Sequence, residues 1–136
     1  ETFAFEQIIK LKKPEHIEVL RDNYHQMIAA GSENDIKIVN ELDRDFHDAL
    51  IEMSEHSLLV SMWHTVAMKV RQVMALVNRR NTDLTQIARN HLPLIDAIEK
   101  GDFAKASALL KEHISSAGAL IAEDWNTDIL GDVDDT

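Results

Sequence analysis

The residues of this chain best suited to chemistry begin with a carboxylate and an imidazole in the segment NELDRDFHDALIEM, residues 40–53. The apolar residues around them are spaced as the buried stripe of an amphipathic helix: Val39, Leu42, Phe46 and Leu50. Asp43 and His47 lie four residues apart and fall on the same stripe. The spacing therefore predicts a carboxylate and an imidazole that both face the protein core.

Two other histidines share this inward orientation. His91 lies on the apolar face of a predicted fifth helix, and His113 lies on that of a sixth. Their apolar companions are Ile87, Leu94, Ile95 and Ile98 for His91, and Ala106, Leu110, Ala117 and Leu120 for His113. For His16, His25 and His56 we expect surface or capping positions, whereas His64 lies just beside the apolar stripe of the fourth helix.

These four inward groups need a partner. A buried carboxylate is costly unless it is neutralised or paired, and no Lys or Arg shares the stripes of Asp43, His91 and His113. A divalent cation would satisfy the carboxylate and the imidazoles together, and the chain has no cysteine, so only nitrogen and oxygen ligands are available. A single inward histidine is more often a hydrogen-bonded core residue. On the residues alone, both a metal site and a hydrogen-bonded buried cluster remain open.

The elements that must position these groups are helices. Four glycines and two prolines punctuate the chain, and no stretch alternates as a strand would. The spacing predicts an all-α antiparallel bundle of about six helices at residues 2–12, 14–30, 33–53, 56–79, 83–99 and 102–124. Gly31 should stop the second helix, Ser32 should cap the third with Asp35 at its third position, and Pro93 should bend the fifth. A loose acidic tail is expected at residues 126–136.

Composition excludes several classes of function. The 136 residues fit one domain, and their hydrophobic share of 45% is ordinary for a folded globular protein. The formal net charge of −10 would repel a phosphate backbone, so this chain by itself should not bind nucleic acid. There is neither a run long enough to span a membrane nor a signal peptide, which makes the cytoplasm the expected location.

Two segments resemble the FCD domain, the C-terminal effector-binding domain of many GntR-type transcription regulators. ELDRDFHDALIEMSEHSLL is similar to that family's Asp-x-x-x-His segment, and NHLPLIDAIEKGDFAKASALLKEHISSAGALI to its later His-to-His signature. The resemblance extends over nearly the whole chain and places the domain at residues 1–125. Two departures are SEHS in place of the usual Gly-Asn and a proline two residues after His91. The first helix also looks shortened, so an effector-binding residue usual there is expected to be missing.

The resemblance implies a fold of six or seven antiparallel helices and a metal site. It assigns the ligands one by one to Asp43, His47, His91 and His113. It also implies an N-terminal winged-helix DNA-binding domain that these residues do not include. Such a domain would account for both the abrupt start and the acidic charge, because the DNA-reading surface would lie elsewhere.

The leading functional interpretation is a ligand sensor and not an enzyme. Its divalent metal, with zinc or nickel as first candidates, would offer one or two coordination positions to a small carboxylate effector. Arg71 and His64 are the candidates for holding the far end of that effector, although a solvated surface position is an equal alternative for Arg71. Two alternatives are a mononuclear metal-dependent hydrolase or oxygenase and a metal that only fastens helices. Paired DNA-binding domains further imply a homodimer, with helix four as its expected interface.

Overall fold

The computed structural model describes residues 1–11, 13–113 and 115. The regular structure of these residues is entirely helical, which confirms the predicted all-α bundle. Six helices are α1 (Thr2–Leu11), α2 (Pro14–Ser32), α3 (Ile36–Met53), α4 (Ser57–Asn78), α5 (Leu84–Arg89) and α6 (Leu92–Glu99), and a further helical segment covers residues 103–113. Within the described part of the chain, no helix is both long and apolar enough to cross a membrane.

Helices α2 and α3 form the centre of the bundle. Helix α3 packs against α1, α2, α4 and α5, while α2 also packs against α5 and α6. One apolar cluster joins α1, α2, α3, α6 and segment 103–113 through residues such as Phe5, Leu20, Phe46, Leu94 and Leu110. A second cluster joins α2, α3 and α5 around Met27, Val39 and Ile87. The predicted site residues of α3 therefore lie on the helix that contacts most of the others.

The boundary between α2 and α3 differs from the prediction at two positions. Helix α2 continues through Gly31 to Ser32, and the left-handed residue that follows its end is Asn34, with φ of 58°. Asn tolerates this conformation better than most residues, so it replaces the expected glycine stop. The cap of α3 is Asp35, whose side chain accepts a hydrogen bond from the amide of Ile38, and not Ser32.

Gly31 has a packing role instead of a terminating one. A Cβ at this position would lie 2.9 Å from the backbone nitrogen of Thr85 and 3.0 Å from the carbonyl carbon of Leu84. These are backbone atoms, so they cannot move aside as a flexible side chain could. The absent side chain thus lets α2 approach the start of α5 closely.

The predicted fifth helix is two helices, not one bent helix. Helix α5 ends at Arg89 and α6 begins at Leu92, with Pro93 in its first turn. Proline lacks an amide hydrogen and its ring clashes with the carbonyl four residues earlier, here that of Arg89, so continuous helix is disfavoured at this point. The first turn of a new helix tolerates proline, because the amide there has no intrahelical acceptor. His91 consequently lies at a helix junction.

The turn between α3 and α4 contains the SEHS departure from the family pattern. Glu55 adopts φ of 54°, and its side chain pairs with Lys13. His56 caps α4 by accepting a hydrogen bond from the amide of Leu59 at 3.2 Å. This matches the surface or capping position expected for that histidine. The turn thus closes without the usual glycine, at the cost of a non-glycine residue in the left-handed region.

Helix α4 is attached to the bundle along one side only. Its buried residues are Ala67 and Asn78, and Trp63 and Met74 are half-buried on the same side. The predicted sixth helix is observed from residue 103 to 113. Ala117, Leu120 and the predicted acidic tail at residues 126–136 lie outside the described residues.

Candidate metal centre

The structure brings the inward histidines of three elements together. His47 comes from α3, His91 from the α5–α6 junction and His113 from segment 103–113. One ring nitrogen of each lies within 4.8 Å of the corresponding nitrogen of the other two. Their ring centroids are 5.4 to 5.8 Å apart. Small side-chain adjustments would let one ion bind all three.

Asp43 lies against this trio of imidazoles. Its Oδ1 atom is 2.8 Å from Nε2 of His91 and 3.5 Å from Nε2 of His47. The 4% exposed fraction of Asp43 leaves it almost no access to solvent. The i, i+4 spacing on α3 places Asp43 and His47 one turn apart, and the helix junction brings His91 to the same carboxylate oxygen.

A second carboxylate, that of Glu1, orients the ring of His47. Its Nδ1 atom lies 2.6 Å from Oε2 of Glu1, and because an ionised carboxylate only accepts, Nδ1 is the donor. The Nε2 atom of His47 is buried and has no hydrogen-bond partner. Metal-binding histidines commonly donate one ring N–H to a carboxylate and bind the metal with the other nitrogen. His47 has this arrangement.

His91 is oriented by the backbone. Its Nδ1 atom donates to the carbonyl oxygen of Ile87 at 2.7 Å, one turn earlier in the chain. Its Nε2 atom faces Oδ1 of the Asp43 carboxylate. If Nε2 carried only a lone pair, that lone pair would repel the lone pairs of Oδ1. A positive species, either a proton or a metal ion, must lie between these two atoms. Like His47, His91 presents Nε2 to the cluster.

Neighbouring charges shift the pKa values of His47 and His113 in opposite directions. Burial lowers the pKa of His47, but the carboxylates of Glu1 and Asp43 outweigh it and raise that pKa to about 10. Burial, together with the charges of His91 and His47, lowers the pKa of His113 to about 4. Burial raises the pKa of Asp43, but the adjacent imidazoles of His47 and His91 outweigh this and hold the pKa well below its usual range. At neutral pH the carboxylate is ionised and His113 has a free lone pair.

The donor set fits a divalent cation. The side chains of Asp43, His47, His91 and His113 supply one carboxylate oxygen and three imidazole nitrogens. Oxygen and nitrogen donors of this kind bind zinc, nickel and other first-row ions. The Nε2 atom of His47 is buried without a hydrogen bond and lies 3.5 Å from Oδ1 of Asp43, a gap that a cation bound by both atoms would fill.

Two residues of this centre were not predicted from the sequence. Glu1 contacts His47, and Asn78 donates to Oδ2 of Asp43 at 2.8 Å. Each lies in register with a buried stripe: Glu1 precedes Ala4, Phe5 and Ile8 of α1, and Asn78 follows Ala67 of α4 by three helical turns. The same periodicity argument that found Asp43 could have found both residues, had the stripes been extended to their ends.

The two predicted effector-binding residues lie on α4. Arg71 is half-exposed and donates to Oδ2 of Asp48 at 3.2 Å, while Trp63 donates to the other oxygen of the same carboxylate. His64 is 66% exposed and lies 3.7 Å from a carboxylate oxygen of Glu52. Asp48 directly follows His47, so Arg71 is anchored to the residue next to a candidate ligand.

Changing Glu1 to Gln should weaken binding of the proposed metal by roughly 10- to 100-fold, the usual cost of removing a carboxylate that hydrogen-bonds to a metal-binding histidine. The amide is neutral and no longer raises the basicity of the His47 ring. Competition against a chromophoric chelator measures the affinity. The control is Glu6→Gln on the neighbouring helix α1, where the half-exposed carboxylate pairs with Lys10. Equal affinities for the two variants would contradict the role of Glu1.

Comparisons with known proteins identify a matching family and a relative of this chain. A family model described as the FCD domain matches residues 1–116. A probable D-xylose utilization operon transcriptional repressor from Paenarthrobacter nicotinovorans is 24% identical over 101 residues. That alignment covers 74% of this chain and 44% of the relative, so the chain spans less than half of the relative's length.

Proposed function

This chain belongs to the FCD domain family, and on that premise we propose that it senses a small carboxylate through a bound metal ion for a GntR-type transcription regulator. The family match and the repressor relative place it with regulators of transcription and not with enzymes. In this proposal a cytoplasmic regulator uses the chain to control DNA binding by a separate winged-helix domain. That division of labour suits a chain whose net charge of −10 opposes direct DNA contact.

The observation that carries the proposal is the buried set of candidate ligands. Three imidazoles converge within 4.8 Å, Asp43 adjoins them, and Nε2 of His47 makes no hydrogen bond. We propose that these four residues bind one zinc or nickel ion. Four protein ligands leave one or two positions on a five- or six-coordinate ion, and a carboxylate oxygen is a suitable donor for them.

Arg71 is our candidate for the far end of the effector, with His64 as the second. Guanidinium groups bind carboxylates through two parallel hydrogen bonds. The present partner of Arg71 is Asp48, and such half-exposed ion pairs contribute little free energy. Arg71 could therefore exchange Asp48 for an effector carboxylate at low cost. An Arg71→Ala variant should then bind metal normally and carboxylates more weakly.

Elemental analysis of the purified protein, followed by carboxylate titration monitored by calorimetry, tests this function. We expect about one metal ion per chain and saturable binding of a small carboxylate without turnover. D-xylose, which the name of the relative mentions, serves as the neutral comparison in the ligand panel. Turnover of a ligand would support an enzyme, and a metal-loaded protein that binds no ligand would support a structural metal. A protein that binds no metal would refute the proposal.

We also propose that the chain forms a homodimer through the outer face of α4. Five apolar residues on this face are between 40% and 63% exposed: Leu58, Met62, Val66, Val73 and Leu76. At 100° per residue they lie on one side of the helix, opposite the side that contains Ala67 and Asn78. A second copy of the chain is the proposed occupant, because two DNA-binding domains reading a symmetric operator require a two-fold partner.

Replacing Met62 with Asp should weaken the dimer at least tenfold, because a charge would be buried at the centre of an apolar contact. Sedimentation equilibrium at micromolar concentration measures the association. The matched control is Met68→Asp, since Met68 is 70% exposed but lies outside the stripe. A mass near 15.4 kDa for the unaltered chain at all concentrations would contradict the dimer. A dimer unaffected by Met62→Asp would place its interface elsewhere.

A further inference from the structure

Asn78 is a buried amide at the end of helix α4. It is the last residue of α4, and its exposed fraction is 5%. Its Nδ2 atom donates to Oδ2 of Asp43 at 2.8 Å and to Oδ1 of Asn40 at 3.0 Å. Asp43 and Asn40 lie one turn apart on α3, so one amide group binds both across the α3–α4 contact.

The Asn78 amide must donate to Asp43, because an ionised carboxylate can only accept. Burying an amide is costly unless its hydrogens are used, and here both acceptors lie on α3. An apolar residue would pack α4 against α3 without this requirement. The position therefore points to a polar task, and the polar group it reaches is a candidate metal ligand.

The contact distinguishes the two oxygens of Asp43. The Asn78 amide takes Oδ2, whereas Oδ1 faces the Nε2 atoms of His91 and His47. A carboxylate free of such a partner can rotate and offer a metal both oxygens. With Oδ2 held by the amide, only Oδ1 remains directed at the imidazoles.

We propose that Asn78 is a positioning residue that makes Asp43 a single-oxygen ligand of the metal ion. This inference rests on the proposed metal site and adds to it a determinant of coordination number. Because Oδ2 of Asp43 would then not bind the metal ion, one coordination position of the ion would stay available for the effector. The ligand that would bind there is the small carboxylate of the proposed function.

The test compares the unaltered protein with Asn78→Leu, which has a similar size and no donor. The zinc affinity of Asn78→Leu should be 10- to 100-fold lower, as measured by chelator competition. In the cobalt(II)-loaded protein, the visible absorption should weaken, because a freed second oxygen raises the coordination number. Asn78→Ala, which cannot clash, provides the same comparison if the leucine variant does not fold.

Asn40→Ala is the matched control, since it removes the other acceptor of the amide and leaves the Asp43 contact intact. It should bind zinc within about threefold of the unaltered protein and show the same cobalt spectrum. Equal zinc affinity and an unchanged spectrum in the Asn78 variants would overturn the inference. So would an affinity loss shared by Asn40→Ala with no spectral change, which would indicate helix packing alone. If the unaltered protein bound neither zinc nor cobalt, the proposed function itself would fail.

Discussion

Removing the proposed metal ion should lower the melting temperature of this protein by roughly 10 to 20 °C. A ligand present at a thousand times its dissociation constant stabilises the folded state by about 4 kcal/mol, which corresponds to such a shift for a domain of this size. The structure supplies a specific reason for a large effect. Without the ion, Asp43 and three imidazoles face one another in a buried cluster, and Nε2 of His47 makes no hydrogen bond.

Differential scanning calorimetry with and without EDTA measures the shift. The control is the double variant His47→Ala, His113→Ala, which should bind metal too weakly for EDTA to matter. An equal loss in the double variant would mean that EDTA acts somewhere other than this centre. Adding back zinc should restore the melting temperature of the unaltered protein only.

Much of the candidate site could be predicted because helical periodicity is a local property. Asp43 and His47 share a stripe with Phe46 and Leu50, and this stripe determines which way they point regardless of the other helices. His91 was predicted inward for the same reason and is fully buried, even though its helix is interrupted. The periodicity therefore predicted the orientation of His91 correctly, although the predicted single helix is two helices.

Other features depend on contacts between distant segments and were not predicted. Gly31 looked like a helix stop, but its role comes from the backbone of Thr85, which lies more than fifty residues later. Periodicity can indicate that Glu1 and Asn78 point inward, but it cannot indicate that they contact His47 and Asp43. Sequence patterns indicate orientation, whereas the identity of a partner depends on packing between elements.

The metal-free protein should be most stable near pH 6.5 and lose stability in both directions, with the alkaline side set by His47. The pKa of His47 is raised from an unfolded value near 6.5 to about 10 in the folded state. Below pH 6.5 both states carry the proton, and its favourable interactions with Glu1 and Asp43 contribute fully. As the pH rises towards 10, the unfolded state has already lost its proton, so this contribution declines by a few kcal/mol in total.

The loss of stability at acid pH should depend mainly on His113. Burial and the neighbouring imidazoles lower its pKa to about 4 in the folded state. Above pH 6.5 the ring is neutral in both states. Between pH 6.5 and 4 the unfolded state binds a proton that the folded state rejects, so stability falls as the pH falls. Asp43 and Glu1, whose pKa values are lowered, reduce stability only further into the acid range.

Urea unfolding of EDTA-treated protein between pH 4.5 and 9.5 measures both limbs of this profile. His47→Gln should flatten the alkaline limb and leave most of the acid limb, because burial is the largest cause of the low pKa of His113. His113→Gln should flatten the acid limb and leave the alkaline limb. Zinc-loaded protein should behave differently on the alkaline side, because rising pH removes the proton with which the metal competes at His47 and so strengthens binding. A metal-free protein whose stability rises steadily from pH 6.5 to 9.5 would show that His47 is not paired with Glu1 and Asp43, and would remove the electrostatic basis of the site.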